Sequence, residues 1–267
     1  RIEAGKDVML NALSQSPITA EQFNNWNEKL QKDEIMVREI IDIDTNYMEE
    51  ENSAQNVKNK KNNKDEANKN KDISLEEKKD NPNTDDEDEF NPTLAAMESE
   101  IKPRVLETVN NLTKNYSKLI KYQNEKLNNI LNNIKYSPAK EKNYQKLVSD
   151  ILESIKTLQL SPSVLENLVQ KHYIESKKII SLEGNLLRLA MEDKISRDEF
   201  IKFYVGNEIN PNLKNFLASN SDWKNFFNKN KIEFKNIRDR LVEISHKLGI
   251  SVTDFKKLVS RIQKGEK

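Results

Sequence analysis

The residues that come closest to a ligand-binding loop lie in the stretch FIKFYVGNEINPNL, from Phe200 to Leu213. Gly206 is one of only five glycines in the 267 residues, and Asn207 and Glu208 follow it directly. Amide and carboxylate oxygens are ligands that calcium accepts, but a dedicated site needs roughly six to eight oxygens. Two such side chains are too few, so we expect no metal here and interpret Gly206 as a turn glycine.

Other residue types that could support chemistry are sparse. The run DDEDE at 85–89 has the charge density of a calcium site, but it lacks the glycine and the spaced ligands of a calcium loop. His172 is in helical register with Leu168 and Val169, which predicts a structural histidine at the edge of a core, and His246 should be exposed. The sequence contains no cysteine, no phosphate loop and no Gly-x-Ser-x-Gly elbow. From these features we expect a protein that is not an enzyme and that binds no cofactor.

The overall composition narrows the class of protein. Lys and Arg together number 44, as do Asp and Glu, and this zero net charge argues against a generally basic nucleic-acid binder. No apolar run approaches the ~20 residues of a membrane span, and the chain does not open with a signal peptide. We therefore expect a cytoplasmic protein with no membrane partner and no small-molecule substrate. Because the chain opens on Arg1 rather than Met, we also expect a fragment.

Charge and polarity divide the chain into three segments. Residues 49–90 carry 14 acidic and 8 basic side chains and almost nothing apolar. Ordering such a segment costs about 1–2 kcal/mol per residue in backbone entropy, with little apolar burial to offset it. We predict N-terminal helices at 1–48, a disordered acidic-polar linker at 49–92 and a helical bundle at 93–267.

The segments on either side of the linker have helical periodicity. One long amphipathic helix is predicted from an apolar stripe that only Gln123 interrupts: Val105, Val109, Leu112, Tyr116, Leu119, Leu127, Ile130 and Ile134. A second stripe is interrupted by Asn230 and followed by Gly249 at the helix end: Trp223, Phe227, Phe234, Ile237, Leu241, Ile244 and Leu248. No segment shows the alternation of a strand. The predicted fold is all-α, a multi-helix bundle with long amphipathic helices and a disordered insertion.

Helix start signals are also clear. Ser137 and Ser161 each precede a proline, which is typical of an N-cap and a first helical position. Capping boxes begin at Thr19, Ser196 and Ser251.

These signals also place the opening stretch. The helix that begins at Ser196 should stop at Gly206 in the C′ position, with Asn207 in the turn. Asn210 and Pro211 should cap and begin the next helix.

A basic cluster closes the chain. Lys256, Lys257, Arg261 and Lys264 are candidates for contacts with nucleic-acid phosphates or with an acidic protein surface. The competing interpretation is that they form the solvated face of an amphipathic helix.

Three pieces of the sequence, in this order, resemble parts of a bacterial primary (housekeeping) sigma factor. RIEAG at the start is similar to the end of region 1.2, and GISVTDFKKLVSRIQKGEK at the close is similar to the approach to region 2.1. FIKFYVGNE resembles a motif of the large non-conserved region that lies between those regions in many primary sigma factors. The acidic linker matches that insertion in character.

The resemblance implies a parent protein that binds core RNA polymerase and directs it to promoters. It implies that the C-terminal basic helix, with Arg261 and Gly265, borders the polymerase-binding surface of the family. For the insertion it implies contact with the largest catalytic subunit, without assigning that contact to particular residues. The promoter-reading residues of the family lie outside this stretch, so promoter DNA would be bound by other parts of the parent. The alternative is a structural or adaptor helical bundle that pairs its long helix with a partner helix.

Overall fold

The computed structural model describes residues 2–48, 94–218 and 220–267, so the predicted acidic linker at 49–92 lies outside the described residues. In addition to a 3₁₀ turn at Val37–Glu39 and helical residues at 43–48, the helices are α1 (Ile2–Ser14), α2 (Pro17–Gln31), α3 (Leu94–Leu131), α4 (Pro138–Leu158), α5 (Pro162–Glu192), α6 (Arg197–Tyr204), α7 (Leu213–Leu217), α8 (Ser221–Lys229), α9 (Lys231–Leu248) and α10 (Val252–Glu266).

The predicted all-α multi-helix bundle is confirmed for these ranges. Their one β-type contact is an isolated bridge between Ile41 and Leu160, and they contain no strand. None of the described helices combines the length and the apolar content that crossing a membrane requires.

Most helix starts follow the sequence signals. α4 and α5 begin at Pro138 and Pro162, as predicted. The side chains of Ser196 and Ser251 accept backbone N–H bonds three residues on, at 3.2 and 3.1 Å. The prediction for α2 was wrong. That helix begins at Pro17, because Ser16 is its N-cap and accepts the N–H of Ile18, and Thr19 lies buried inside the helix.

The long helix α3 forms the spine of the largest core. Its stripe is buried from Val105 to Leu127, and α1, α2 and residues up to Ile43 pack into the same core as α4 and the first half of α5. The prediction was wrong at the end of the stripe, because α3 stops at Leu131 and Ile134 lies beyond it and is 58% exposed. Gln123, which interrupts the stripe, is also buried, and its Nε2 donates to the Gln15 carbonyl at 2.7 Å. A polar residue can therefore occupy a buried position of the stripe, because it bonds the carbonyl of the turn between α1 and α2.

The second stripe is split between two helices. α8 ends at Lys229 and α9 begins at Lys231, with Asn230 between them at φ −104°, ψ 29°. The Asn230 amide donates to a carboxylate oxygen of Asp193 and to the Phe226 carbonyl. These bonds favour a break where apolar spacing alone predicts continuity.

The first and last helices pack against each other in antiparallel fashion. Gly5 of α1 crosses Gly265 of α10 so closely that a Cβ on either residue would lie 2.6 Å from the other's carbonyl oxygen. Toward the other end of this contact, Arg261 bonds the side chains of Asn11 and Gln15 at 3.4 and 3.3 Å. Glycine at both crossing points is needed for this approach.

Candidate functional site

The turn after α6 is built by backbone and amide hydrogen bonds. Gly206 has φ +95°, a region that favours glycine. The Asn207 N–H donates to the Tyr204 carbonyl at 2.9 Å, and its side-chain amide donates to the Phe203 carbonyl at 3.2 Å. The structure therefore uses Asn207 to close the end of α6.

The restart after the turn differs from the prediction. α7 begins at Leu213 with Asn212 as its N-cap, not at Pro211. Asn210 instead accepts the N–H of Asn212 at 2.9 Å through its side-chain oxygen, which forms an Asx turn ahead of the helix.

Glu208 is the residue of this turn that enters the interior. Its side chain is 0% exposed and accepts bonds from Lys256 Nζ and Thr253 Oγ1 of α10, both at 2.6 Å. Lys256 Nζ also lies 2.6 Å from Glu183 of α5. One ammonium group thus connects α5, the turn and α10, and we call Glu183, Glu208, Thr253 and Lys256 the ionic junction.

The environment of each group sets its charge. Burial would raise the pKa of the Glu208 carboxyl, but hydrogen bonds from Lys256, Thr253 and the Gly206 N–H lower it overall. Burial raises the pKa of Glu183, and Lys256 offsets this only in part. Burial would lower the pKa of Lys256, but its bonds to the two carboxylates raise it. The junction therefore favours the charged forms of Lys256 and Glu208 and disfavours the charged form of Glu183.

The other basic candidates on α10 have different surroundings. Lys257 is 70% exposed and lies 3.7 Å from Asp254, and Lys264 is exposed. Lys256 and Arg261 instead hold neighbouring elements, through the ionic junction and through α1. Contact of these four residues with polymerase or phosphate stays a prediction, and Lys257 and Lys264 are the two with exposed side chains.

A cleft joins the turn to α10. It has a volume of about 620 Å³ and is lined by Gly206 and Asn207, by Lys126 of α3, by Lys135 of the loop after α3, and by Lys257. Gly249, the third predicted turn residue, is not part of this lining; it ends α9 with φ +75°, and a Cβ there would lie 3.2 Å from Asn124 Oδ1 of α3. Gly206, Asn207 and Lys257 thus meet at one cleft. The arrangement can bind an acidic group but holds no reactive pair.

His172 is buried at a second polar contact, as the predicted structural histidine would be, though deeper than a core edge. Its Nδ1 lies 2.6 Å from the Leu168 carbonyl, which can only accept, so Nδ1 carries the proton. Its Nε2 then accepts from Ser16 Oγ at 2.5 Å, while Ser16 caps α2. Burial lowers the pKa of His172 to about 4. We call His172 and Ser16 the neutral junction.

Sequence reasoning missed the role of Glu208, which was considered only as a metal ligand. Its partners on α5 and α10 are distant in sequence, and no local pattern specifies such a contact. The available signal was the isolated carboxylate between apolar Val205 and Ile209, which is typical of a buried charge that has a partner.

Comparison with known families identifies the chain. A family model described as "Sigma-70, non-essential region" matches residues 17–245. The chain belongs to this family. The resemblance to a primary sigma factor is thereby confirmed, and the chain is part of a transcription initiation factor of a class that regulates RNA polymerase and is not itself catalytic.

The limits of the sigma-70 match coincide with a structural boundary. It starts at the beginning of α2 and ends near the end of α9, so α1 and α10 lie outside it. These two flanking helices are the ones that pack together through Gly5 and Gly265. The matched stretch thus begins and ends near one helix pair.

Proposed function

We propose that this part of the sigma factor acts by binding core RNA polymerase and that it performs no chemistry. The observation that carries the proposal is the family match over residues 17–245. The structure gives no support to the alternative of a long helix that pairs with a partner, because the apolar stripe of α3 is buried in the protein's own core.

The contact surface we propose is the exposed face of α10 and the adjoining cleft. Lys257 and Lys264 supply positive charge on α10, and Lys126 and Lys135 supply it across the cleft. An acidic surface of the largest catalytic subunit fits this charge. The ionic junction fixes the position of this surface, because it links α10 and the turn to α5.

Retention by immobilised core polymerase at low salt tests this surface. The variant Lys257→Glu with Lys264→Glu should weaken binding by about tenfold, since reversed charges oppose an acidic partner. The matched control is Lys114→Glu with Lys121→Glu, a pair with the same spacing and exposure on α3. Equal retention of both variants would refute the proposed face. Equal retention of an unrelated helical protein of the same charge would remove the support for polymerase binding itself.

Promoter DNA should bind this chain poorly. The part after the predicted linker carries 31 basic and 21 acidic residues, and affinity for phosphates falls steeply with salt. We propose that other parts of the sigma factor read the promoter. Tight, sequence-dependent binding of promoter DNA to this chain at physiological salt would contradict that assignment.

A further inference from the structure

A long groove between α5 and α9 lies apart from the cleft described above. Its centre is a pocket of about 800 Å³, which shares Arg240 with a pocket of about 260 Å³ and Lys247 with one of about 560 Å³. The three together follow α5 from Lys171 to Leu189. At 1.5 Å per residue this is a length of about 27 Å.

The floor of the groove is apolar. Leu182 of α5 and Ile244 of α9 are half-buried at its centre, and Leu189 and Ile237 continue the floor at one end. At the other end Ile174 is 55% exposed. Two antiparallel helices with apolar residues between them leave room for a third helix to pack along the seam.

The rim of the groove is net positive, although the chain as a whole is neutral. Six cations line the three pockets against four carboxylates, which are Glu21, Glu175, Glu233 and Glu243. Four cations and one carboxylate, Glu243, line the central pocket; the cations are Lys177, Lys178, Arg240 and Lys247. Lys178 and Lys247 both approach Glu175, at 2.7 and 3.9 Å. Lys177 and Arg240 are exposed on opposite helices, which places positive charge on both sides of the apolar floor.

We propose that this groove binds an acidic amphipathic helix of a partner protein. An occupant of about 18 residues would match the groove in length. Its apolar side chains, at i, i+3, i+4 and i+7, would contact the floor, and its carboxylates would meet the rim on both sides. Nucleic acid suits the rim but not the floor, because no aromatic ring lines the three pockets for bases to stack on.

The test uses the whole chain and a fluorescein-labelled peptide. The peptide has 18 residues, with Leu on one helical face and Glu on the others, and a scrambled peptide of the same composition is the control. By fluorescence anisotropy at low salt the amphipathic peptide should bind about tenfold more tightly than the scrambled one, since only it presents both faces together. Equal affinity for the two peptides would overturn the proposal.

Charge reversal on the two sides of the groove locates the binding. Lys177→Glu with Arg240→Glu should weaken binding of the amphipathic peptide by about tenfold. Lys114→Glu with Lys121→Glu, the same change of charge on α3, should alter it less than about twofold. Equal losses in both variants would overturn the assignment to this groove.

Two other occupants would show themselves in the same assay. Dimerisation of the chain that the amphipathic peptide reverses would make a second copy the occupant. Binding of the peptide only after deletion of residues 49–92 would make the chain's own acidic run the occupant. Either result overturns the proposal of an acidic partner helix. The assay contains no polymerase, so its outcome is independent of the proposed α10 contact.

Discussion

His172 and Glu208 both lie where helices distant in the chain meet, and both side chains are buried. The neutral junction contains no charge: a histidine with its pKa lowered to about 4 bonds the serine that caps α2. The ionic junction keeps a carboxylate and an ammonium group and satisfies them with each other, with Thr253 and with Glu183. Both junctions also contact α10. The ring of His172 stacks on that of Phe255, with 6.1 Å between the ring centroids, and Thr253 and Lys256 of the ionic junction belong to α10.

The difference teaches that burial alone does not decide the charge of a group. The ring nitrogens of His172 bond a carbonyl and a hydroxyl group rather than a carboxylate, so desolvation dominates and the ring stays neutral. Glu208 has an ammonium group and two further donors, and these outweigh desolvation. The two junctions should therefore fail under different conditions.

The largest effect should come from Lys256→Met. This change leaves Glu208 buried without its cation and should cost about 3–5 kcal/mol of unfolding free energy. Urea denaturation measures the loss. Adding Glu208→Gln should restore part of it, because the stranded charge is then gone. A double variant less stable than Lys256→Met alone would show that the pair is not coupled in this way.

The next effect should come from pH, through His172. Below its ordinary pKa of 6.5 the unfolded chain binds a proton that the folded protein excludes until about pH 4. Stability therefore falls as pH drops through this window, by up to about 3 kcal/mol. His172→Gln should flatten this part of the stability curve, and His246→Gln, at an exposed position, should not. An unchanged slope in His172→Gln would contradict the neutral assignment.

The two carboxylates of the ionic junction respond to pH in opposite directions. Because its pKa is lowered, Glu208 contributes stability above about pH 4.5 that is lost as pH falls through its folded pKa. Glu183 has a raised pKa, so its contribution has the opposite sign and is lost as pH rises through its folded pKa.

Removal of the hydroxyl group from either junction should lower stability by a smaller amount. Ser16→Ala removes both a helix cap and the donor to His172 and should cost about 2 kcal/mol. Thr253→Val should cost about 1 kcal/mol, since Glu208 keeps its bond to Lys256. Thermal unfolding compares the two variants. If Thr253→Val proved the more damaging, the ammonium group would not be the main partner of Glu208.

The smallest effect should come from the glycine that presents Glu208 to the ionic junction. Gly206→Ala should lower the free energy of unfolding by about 1 kcal/mol through backbone strain at φ +95°. Steric clash adds nothing to this cost, because no atom lies within 4 Å of the added Cβ. Gly184→Ala, in the interior of α5 with equally open space, should instead gain about 0.5–1 kcal/mol. Equal melting temperatures for the two variants would show that the turn tolerates a side chain.

The fold class was readable from sequence because helix periodicity and proline starts are local signals. Pro138 and Pro162 mark true helix starts for that reason. Gln123 and Asn230 show where local sequence signals no longer predict whether a helix continues. Each interrupts an apolar stripe, but Gln123 reaches the Gln15 carbonyl across helices and the helix continues, whereas Asn230 bonds Phe226 and Asp193 and the helix breaks.

The candidate site was predictable only as a turn beside a basic helix. The spacing around Gly206 gave the end of α6, but the link from Glu208 to Lys256 depends on how α5, the turn and α10 pack. The same packing separates Lys256 and Arg261 from Lys257 and Lys264, which sequence alone places in one cluster.

The close crossing of Gly5 and Gly265 has a consequence for folding. Nearly the whole chain separates these two residues, so α1 can meet α10 only when a very long loop has closed, and loop closure lowers chain entropy. Contacts of such high sequence separation slow folding. The described helices between them bring the two ends together once they have folded. We therefore expect the contact between α1 and α10 to be the last to form.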